Sequence, residues 1–262
     1  QGVSSAASDV YKRQVADNNG SVAGNGYTNL ENYLNSLSAQ AVWYPDADGG
    51  AANFMNWRGA RPTSAWSIAT FGDVTTSRRT VTLDVPLSTQ DLTFDSLKGY
   101  MLTGTRTLTL DALSGFATLT VAGGSNVITA PVVLADATTV TVSSGSASVS
   151  FAGGINATGK AITKAGPGSV VVASLSGAGV TVAGGSVQLA SVAPAASSLT
   201  SLVVDETASA ALDLGAGSVT VAAGGMTTAA LLVDLLAGRN GGSWDGPGIR
   251  SALVATQVAA VM

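Results

Sequence analysis

The chain has 262 residues, long enough to bury a sizeable core, yet 32 are glycine and only 5% are aromatic, so small side chains must fill that core. Charged residues make up 11%, and the net charge of -4 carries no basic track, which excludes DNA and RNA as expected partners. With no cysteine there is neither a disulfide framework nor a thiolate metal site, and with no histidine the commonest general base is missing and a Ser-His-Asp triad is impossible.

Residues 4–14, SSAASDVYKRQ, read as the in-frame translation of a transposon sequencing adapter, so residues 1–14 are set aside as a disordered artefact. That boundary predicts a gene continuing upstream, and the closing SALVATQVAAVM, which stops in mid-pattern, predicts a further C-terminal segment. Residues 15–38 contain Leu30, Tyr33, Leu34 and Leu37 at helical spacing, and Thr28 with Glu31 forms a capping box, so a short amphipathic helix is expected. The run Gly26-Tyr27-Thr28-Asn29-Leu30-Glu31 resembles the C-terminal end of secreted bacterial pectate lyases, which implies a remnant of an upstream lyase domain. A calcium loop with Gly26 at its sixth position would draw ligands from Ser21, Ala23, Asn25 and Asn32, none of them a carboxylate. Residues 21–32 therefore read as a cap, and no cofactor is expected.

Residues 39–79 collect Trp43, Phe54, Trp57, Trp66 and Phe71. Aromatics gathered like this either plug the open end of an elongated core or offer a stacking platform for sugar rings. The cap reading ranks first, and Trp43, Trp57 and Trp66 are the candidates for the carbohydrate reading. Asp46 and Asp48, beside Gly49 and Gly50, read as a solvated turn ahead of a small cation site.

Residues 80–226 carry the clearest pattern. TLTV, TVTV, SVSF, VTV, SVQL and SVTV alternate apolar and small hydroxyl side chains, and Ala-Gly-Gly returns at Ala122, Ala152, Ala183 and Ala223. The expected fold is all-β, a parallel β-helix (β-solenoid) with short helical caps, whose apolar faces are buried by stacking coil on coil. Between residues 112 and 204 the only charges are Asp136, Lys160 and Lys164, so an almost uncharged, β-rich body needs capping at both ends. Residues 227–262 supply the second cap: Leu231, Leu232, Leu235 and Leu236 at helical spacing predict a helix laid over the last coil and stopped by Gly238.

The order Trp43, Asn56-Trp57, Pro62, Phe71, Val81, Asp84, Leu92, Phe94, Tyr100, Leu102, Gly104 and Thr107 to Leu110 resembles the opening of autotransporter-associated β-strand-repeat proteins. ITKAGPGSVVVASLSG, residues 162–177, looks like one copy of that family's Lys-x-Gly-x-Gly repeat. The resemblance spans about residues 43–190. It implies a secreted, right-handed parallel β-helix acting as a passenger or stalk, with no defined activity. GGSWDGPGIRSALV, from residue 241, is similar to tails found beside sorting segments in planctomycete-like secreted proteins.

No apolar run of about 18 residues is present to cross a bilayer, and no catalytic residue is assigned. Two functions follow. In the first, the chain is a non-catalytic extracellular or cell-surface stalk (spacer, adhesin or weak glycan-binding module) beside a polysaccharide lyase, with plant or algal polysaccharide as its partner. In the second it keeps part of a pectate-lyase groove, which requires Asp84, Asp95, Arg106 and Asp111 to converge on one concave face.

Overall fold

The computed structural model describes residues 40–190 and 196–260. They form a parallel β-solenoid of about seven turns. Each coil lays down three short strands, one on each of three faces. The first face runs Gln40–Trp43, Ile68–Phe71, Asp91–Phe94, Ala117–Val121, Thr138–Val142 and Ala161–Ala165. The second runs from Gly49–Gly50 and Arg79–Thr82 through Tyr100–Thr103 to Ala211–Asp213 and Gly248–Arg250, and the third runs from Leu87–Thr89 and Leu108–Leu110 to Val219–Val221. Two long strands, Leu175–Val182 and Ser197–Val204, turn the corner from the third face onto the first, with a register shift at Ala178 in their pairing. They join those faces into one 14-stranded sheet, while the second face is a separate 9-stranded sheet.

Alternation within each strand decides what is buried. On the first face Ala41, Ala69, Leu92, Leu119, Val140, Lys164, Val182 and Val204 stand in line one coil apart and point inward. Their outward neighbours Thr118, Thr139, Thr163 and Thr181 form a matching row, where β-branched side chains pack rung on rung. Along the first face the coil length varies from 18 residues between the paired Thr163 and Thr181 to 28 between Gln40 and Ile68, and the difference is taken up between the strands.

Corners need backbone that a Cβ would obstruct. Gly124, Gly154 and Gly185, the last residues of three Ala-Gly-Gly triplets, all have positive φ, at 69°, 77° and 62°. A Cβ on Gly124 would run into the carbonyl of Ser96 in the preceding coil. The triplets do not mark one repeated corner, however. Those at Ala122 and Ala183 link the first face to the second, the one at Ala152 links the second to the third, and the one at Ala223 follows the last strand of the third face. Their spacing therefore says where the chain turns and not how long a coil is.

The solenoid begins earlier than residue 80. Gln40–Trp43 pairs in parallel with Ile68–Phe71, so residues 39–79 contain the first coil as well as a cap. The cap is the antiparallel strand Trp57–Gly59, which covers the outer edge of Gln40–Trp43 and reverses the direction of the sheet.

The other end also departs from the expected arrangement. The first helix, α1 (Thr228–Arg239), is capped by the Thr227 side chain accepting from Ala230 N, and it ends at Asn240 in the left-handed region. Gly238 lies inside α1, where a Cβ would collide with the carbonyl of Ile249 in the last strand of the second face. The helix therefore buries Asp234 and Gly238 against that strand and leaves Leu232, Val233 and Leu236 exposed by 56%, 57% and 67%. Close backbone approach at Gly238 sets the docking face, with Leu231 and Leu235 turned toward the last coil and Leu232 and Leu236 away from it. A half-open apolar cavity of about 390 Å³ remains between α1 and the last coil, lined by Leu202, Leu212, Val221, Leu231, Leu235 and Ile249. Gly248–Arg250, within the segment read as a tail, is the last rung of the second face, and α2 (Ala252–Ala259) follows it.

Asp234 is only 4% exposed, and its carboxyl shares a hydrogen bond with Glu206 in the short 3-10 turn that follows Ser197–Val204. Burial first, then that hydrogen bond and the charge of Glu206, push Asp234 up from 3.8 to about 7, while Asp205 adds a further negative charge beside Glu206. The folded pair thus retains a proton that the unfolded chain releases near pH 4, and its contribution is lost as pH rises through about 7. Hydrogen exchange in α1 is expected to be better protected at pH 5 than at pH 8.5 after correction for intrinsic rates. Asp234→Asn is expected to remove most of that difference.

Candidate functional site

Two places concentrate polar and aromatic chemistry: the N-terminal cap and the corner between the first and second faces. In the cap, Trp43 is fully buried and Trp57 is 5% exposed, their rings meeting edge to face at 5.3 Å. Phe71 continues the stack to Phe94, 5.3 Å away and nearly parallel, and to Tyr100 at 5.2 Å. Trp57 Nε1 donates to the carbonyl of Ala51 at 3.0 Å, which fixes the indole across the open end of the core. Neither Trp43 nor Trp57 presents a ring face to solvent, and Trp66 lies half-buried in the turn ahead of Ile68–Phe71. The three tryptophans singled out for sugar stacking are thus divided between a buried plug and a neighbouring turn. The most exposed aromatic rings of the cap are Phe54 and Tyr44, which tryptophan content alone gives no reason to choose.

Asp46 and Asp48 fasten the first coil to the second. Asp46 pairs with Arg79 at 2.7 Å and accepts from Thr76 N and Oγ1, and the Arg79 hydrogen bond leads the causes that hold its carboxyl down to about 2. Asp48 accepts from Thr80 N at 2.8 Å. Both carboxylates have donors from the chain itself, as the turn reading requires.

Asp84, Asp95 and Asp111 each follow a strand, but strands of three different faces: Arg79–Thr82 on the second, Asp91–Phe94 on the first and Leu108–Leu110 on the third. They occupy three separate corners, and only Arg106 shares a corner with Asp84. Asp84 accepts from Ala52 N at 2.7 Å, bridging two coils. The convergence required for a lyase groove is not formed. The residues considered for a calcium loop, Ser21 to Asn32, lie outside the described residues.

The first corner contains the least anticipated groups. Thr75 and Ser96 are buried and share a hydrogen bond of 2.9 Å between their hydroxyls. In the next coil Asn126, fully buried, accepts from Tyr100 N at 2.9 Å and donates to the carbonyl of Gly123 at 3.1 Å. Further along, Lys164 occupies an inward position between Val140 and Val182 and is 1% exposed. Its Nζ donates to the carbonyls of Ala165 at 2.9 Å, Gly166 at 2.7 Å and Gly184 at 2.9 Å, tying the Gly-Pro-Gly turn of one coil to the Ala-Gly-Gly turn of the next. An ammonium with three donors can satisfy three carbonyls that the corner turns away from the sheet ladder. The sequence did contain this signal: Lys164 has the same parity as the inward Ile162, so strand alternation alone assigns it to the core.

No protein family, curated protein or solved structure gives a match to the chain.

Burial lowers Lys164 from 10.5 to about 8, so the folded protein gives up this proton before the unfolded chain does. Its contribution to stability therefore rises as pH goes from about 8 toward 10.5. Tyr100, pushed up to about 12 by burial, has the opposite effect only above its ordinary value of 10, and measurements kept below pH 9.5 separate the two. Between pH 7.5 and 9.5 the wild type is expected to gain up to about 2 kcal/mol attributable to this group, read from urea unfolding. Lys164→Met is expected to lack that gain.

Proposed function

We propose that the chain serves as a non-catalytic extracellular or cell-surface stalk, holding a neighbouring polysaccharide-active domain away from its anchor and making weak glycan contacts of its own. The observation that carries this reading is the unbroken first-face register, which runs from Gln40 through Ile68, Asp91, Thr118, Thr139, Thr163 and Thr181 to Val203 over a continuous apolar core. A spacer needs a fixed length and resistance to local opening. About seven turns at about 4.8 Å each give a body about 34 Å long before its caps. A low charge and strand after strand of threonine suit a stalk better than a solvated binding cleft, and the likeness to autotransporter-associated repeat proteins points the same way.

The alternative, a surviving lyase groove, receives no comparable support because Asp84, Asp95 and Asp111 go to three corners. Incubating the full chain with polygalacturonate, with and without calcium, and following ultraviolet absorbance of the unsaturated product is expected to show no turnover. Small-angle scattering of the same sample is expected to report an elongated particle. Product formation that survives repurification would overturn the stalk reading.

A further inference from the structure

The outer surface of the N-terminal cap differs from the rest of the solenoid. Asn53 accepts from Met55 N and opens a single 3-10 turn, Phe54–Asn56, while Asn56 Nδ2 donates back to the carbonyl of Gly50 at 3.0 Å. This turn leaves Phe54 and Met55 exposed by 68% and 74%, although the neighbouring Trp57 is buried. Arg61 lies over the Phe54 ring and Arg58 over the Tyr44 ring, each with its guanidinium carbon 4.8 Å from the ring centroid. Arg61 Nη1 donates to the carbonyl of Ala52 at 3.2 Å, its Nε is buried without an acceptor, and neither arginine forms an ion pair among the described residues.

A guanidinium placed over an aromatic ring can still donate its N–H groups to an anion. Arg58 is exposed to do so, whereas Arg61 has Nη1 on the Ala52 carbonyl and Nε buried, and adds its charge beside the Phe54 ring. The carboxylates of the neighbouring loop do not fill this role, because Asp46 is engaged by Arg79 and Thr76, and Asp48 by Thr80. Exposed aromatic surface beside two unmatched cations fits a ligand that combines apolar C–H faces with regularly placed negative charge.

We infer that Tyr44, Phe54, Arg58 and Arg61 form a binding surface for an acidic polysaccharide, with the arginines taking its carboxylate or sulfate groups and the rings packing against its sugars. The inference builds on the glycan-contacting part of the stalk reading and names the class of glycan. Trp43 and Trp57 support the surface from beneath and do not touch the ligand.

The test is affinity electrophoresis and titration calorimetry of the full chain with four polymers: polygalacturonate, dextran sulfate, neutral dextran and polyglutamate. Binding to polygalacturonate or dextran sulfate is expected, the preferred one identifying the anion, and affinity should fall as salt is raised. Arg58→Gln is expected to weaken binding about tenfold, as loss of a charge-assisted hydrogen bond implies, with an unchanged unfolding midpoint because the side chain is exposed. Arg58→Lys is expected to recover only part of the affinity because the planar fork is lost. Phe54→Ser is expected to weaken polysaccharide binding as well. No binding to either acidic polysaccharide, equal binding to polyglutamate or neutral dextran, or full affinity in Arg58→Gln would each overturn the inference. Failure of the stalk reading would show separately, as lyase product in the polygalacturonate samples.

Discussion

Parallel pairing in constant register along the first face is the constraint on which the rest of this molecule depends. Each residue sits on its counterpart one coil away, about 4.8 Å distant, so the side chain chosen at one rung limits the choice at the next. Phe71 is paired with Phe94, Leu92 with Leu119, and Thr118 with Thr139 because the register places them on successive rungs. A narrow core built this way cannot trade volume across a wide interior. Most of its large rings are grouped at one end, where Trp43, Trp57, Phe71, Phe94 and Tyr100 pack together, and leucine, valine and isoleucine with the single ring of Phe151 fill the middle.

The faces satisfy their own backbone groups, and the difficulty of the fold moves to the corners. There the chain must turn within a few residues, and carbonyls rotate out of the ladder. Three solutions are used along the first corner: glycine with positive φ, an asparagine that accepts one backbone N–H and donates to two carbonyls, and a lysine whose ammonium serves three carbonyls at once. Asn126 and Lys164 are in this sense backbone groups supplied by side chains. Burying an ammonium is costly in isolation, and three acceptors within 2.9 Å are what make it tolerable in this position.

The faces were legible in the sequence because alternation is a local property: TLTV or TVTV reveals which side chains point inward wherever the strand is placed. The corners were less legible because their meaning depends on which coil lies beside them. Asp84, Asp95 and Asp111 each follow a strand, yet successive strand ends in a three-faced coil point to different corners, so the sequence alone does not say whether they converge. The first coil was hidden for a related reason, since Gly49–Gly50 is a two-residue rung with no side chains to alternate. The helix α1 was read from its leucines, whereas the close approach of Gly238 to the Ile249 backbone decides which side docks. In the N-terminal cap, aromatic content marks the segment, but only the packing distinguishes Tyr44 and Phe54 outside from Trp43 and Trp57 inside.

The direction of the interstrand hydrogen bonds has a mechanical corollary. They run along the solenoid axis, so tension applied at the two ends of the body pulls on one rung at a time and does not shear all rungs together. A coil released in this way, such as the 21 residues between Thr118 and Thr139, lengthens the chain by about 70 Å when extended. The next rung is left intact until it is loaded in turn. A body of this construction under load would yield in discrete steps, paying out length coil by coil while what remained kept its register.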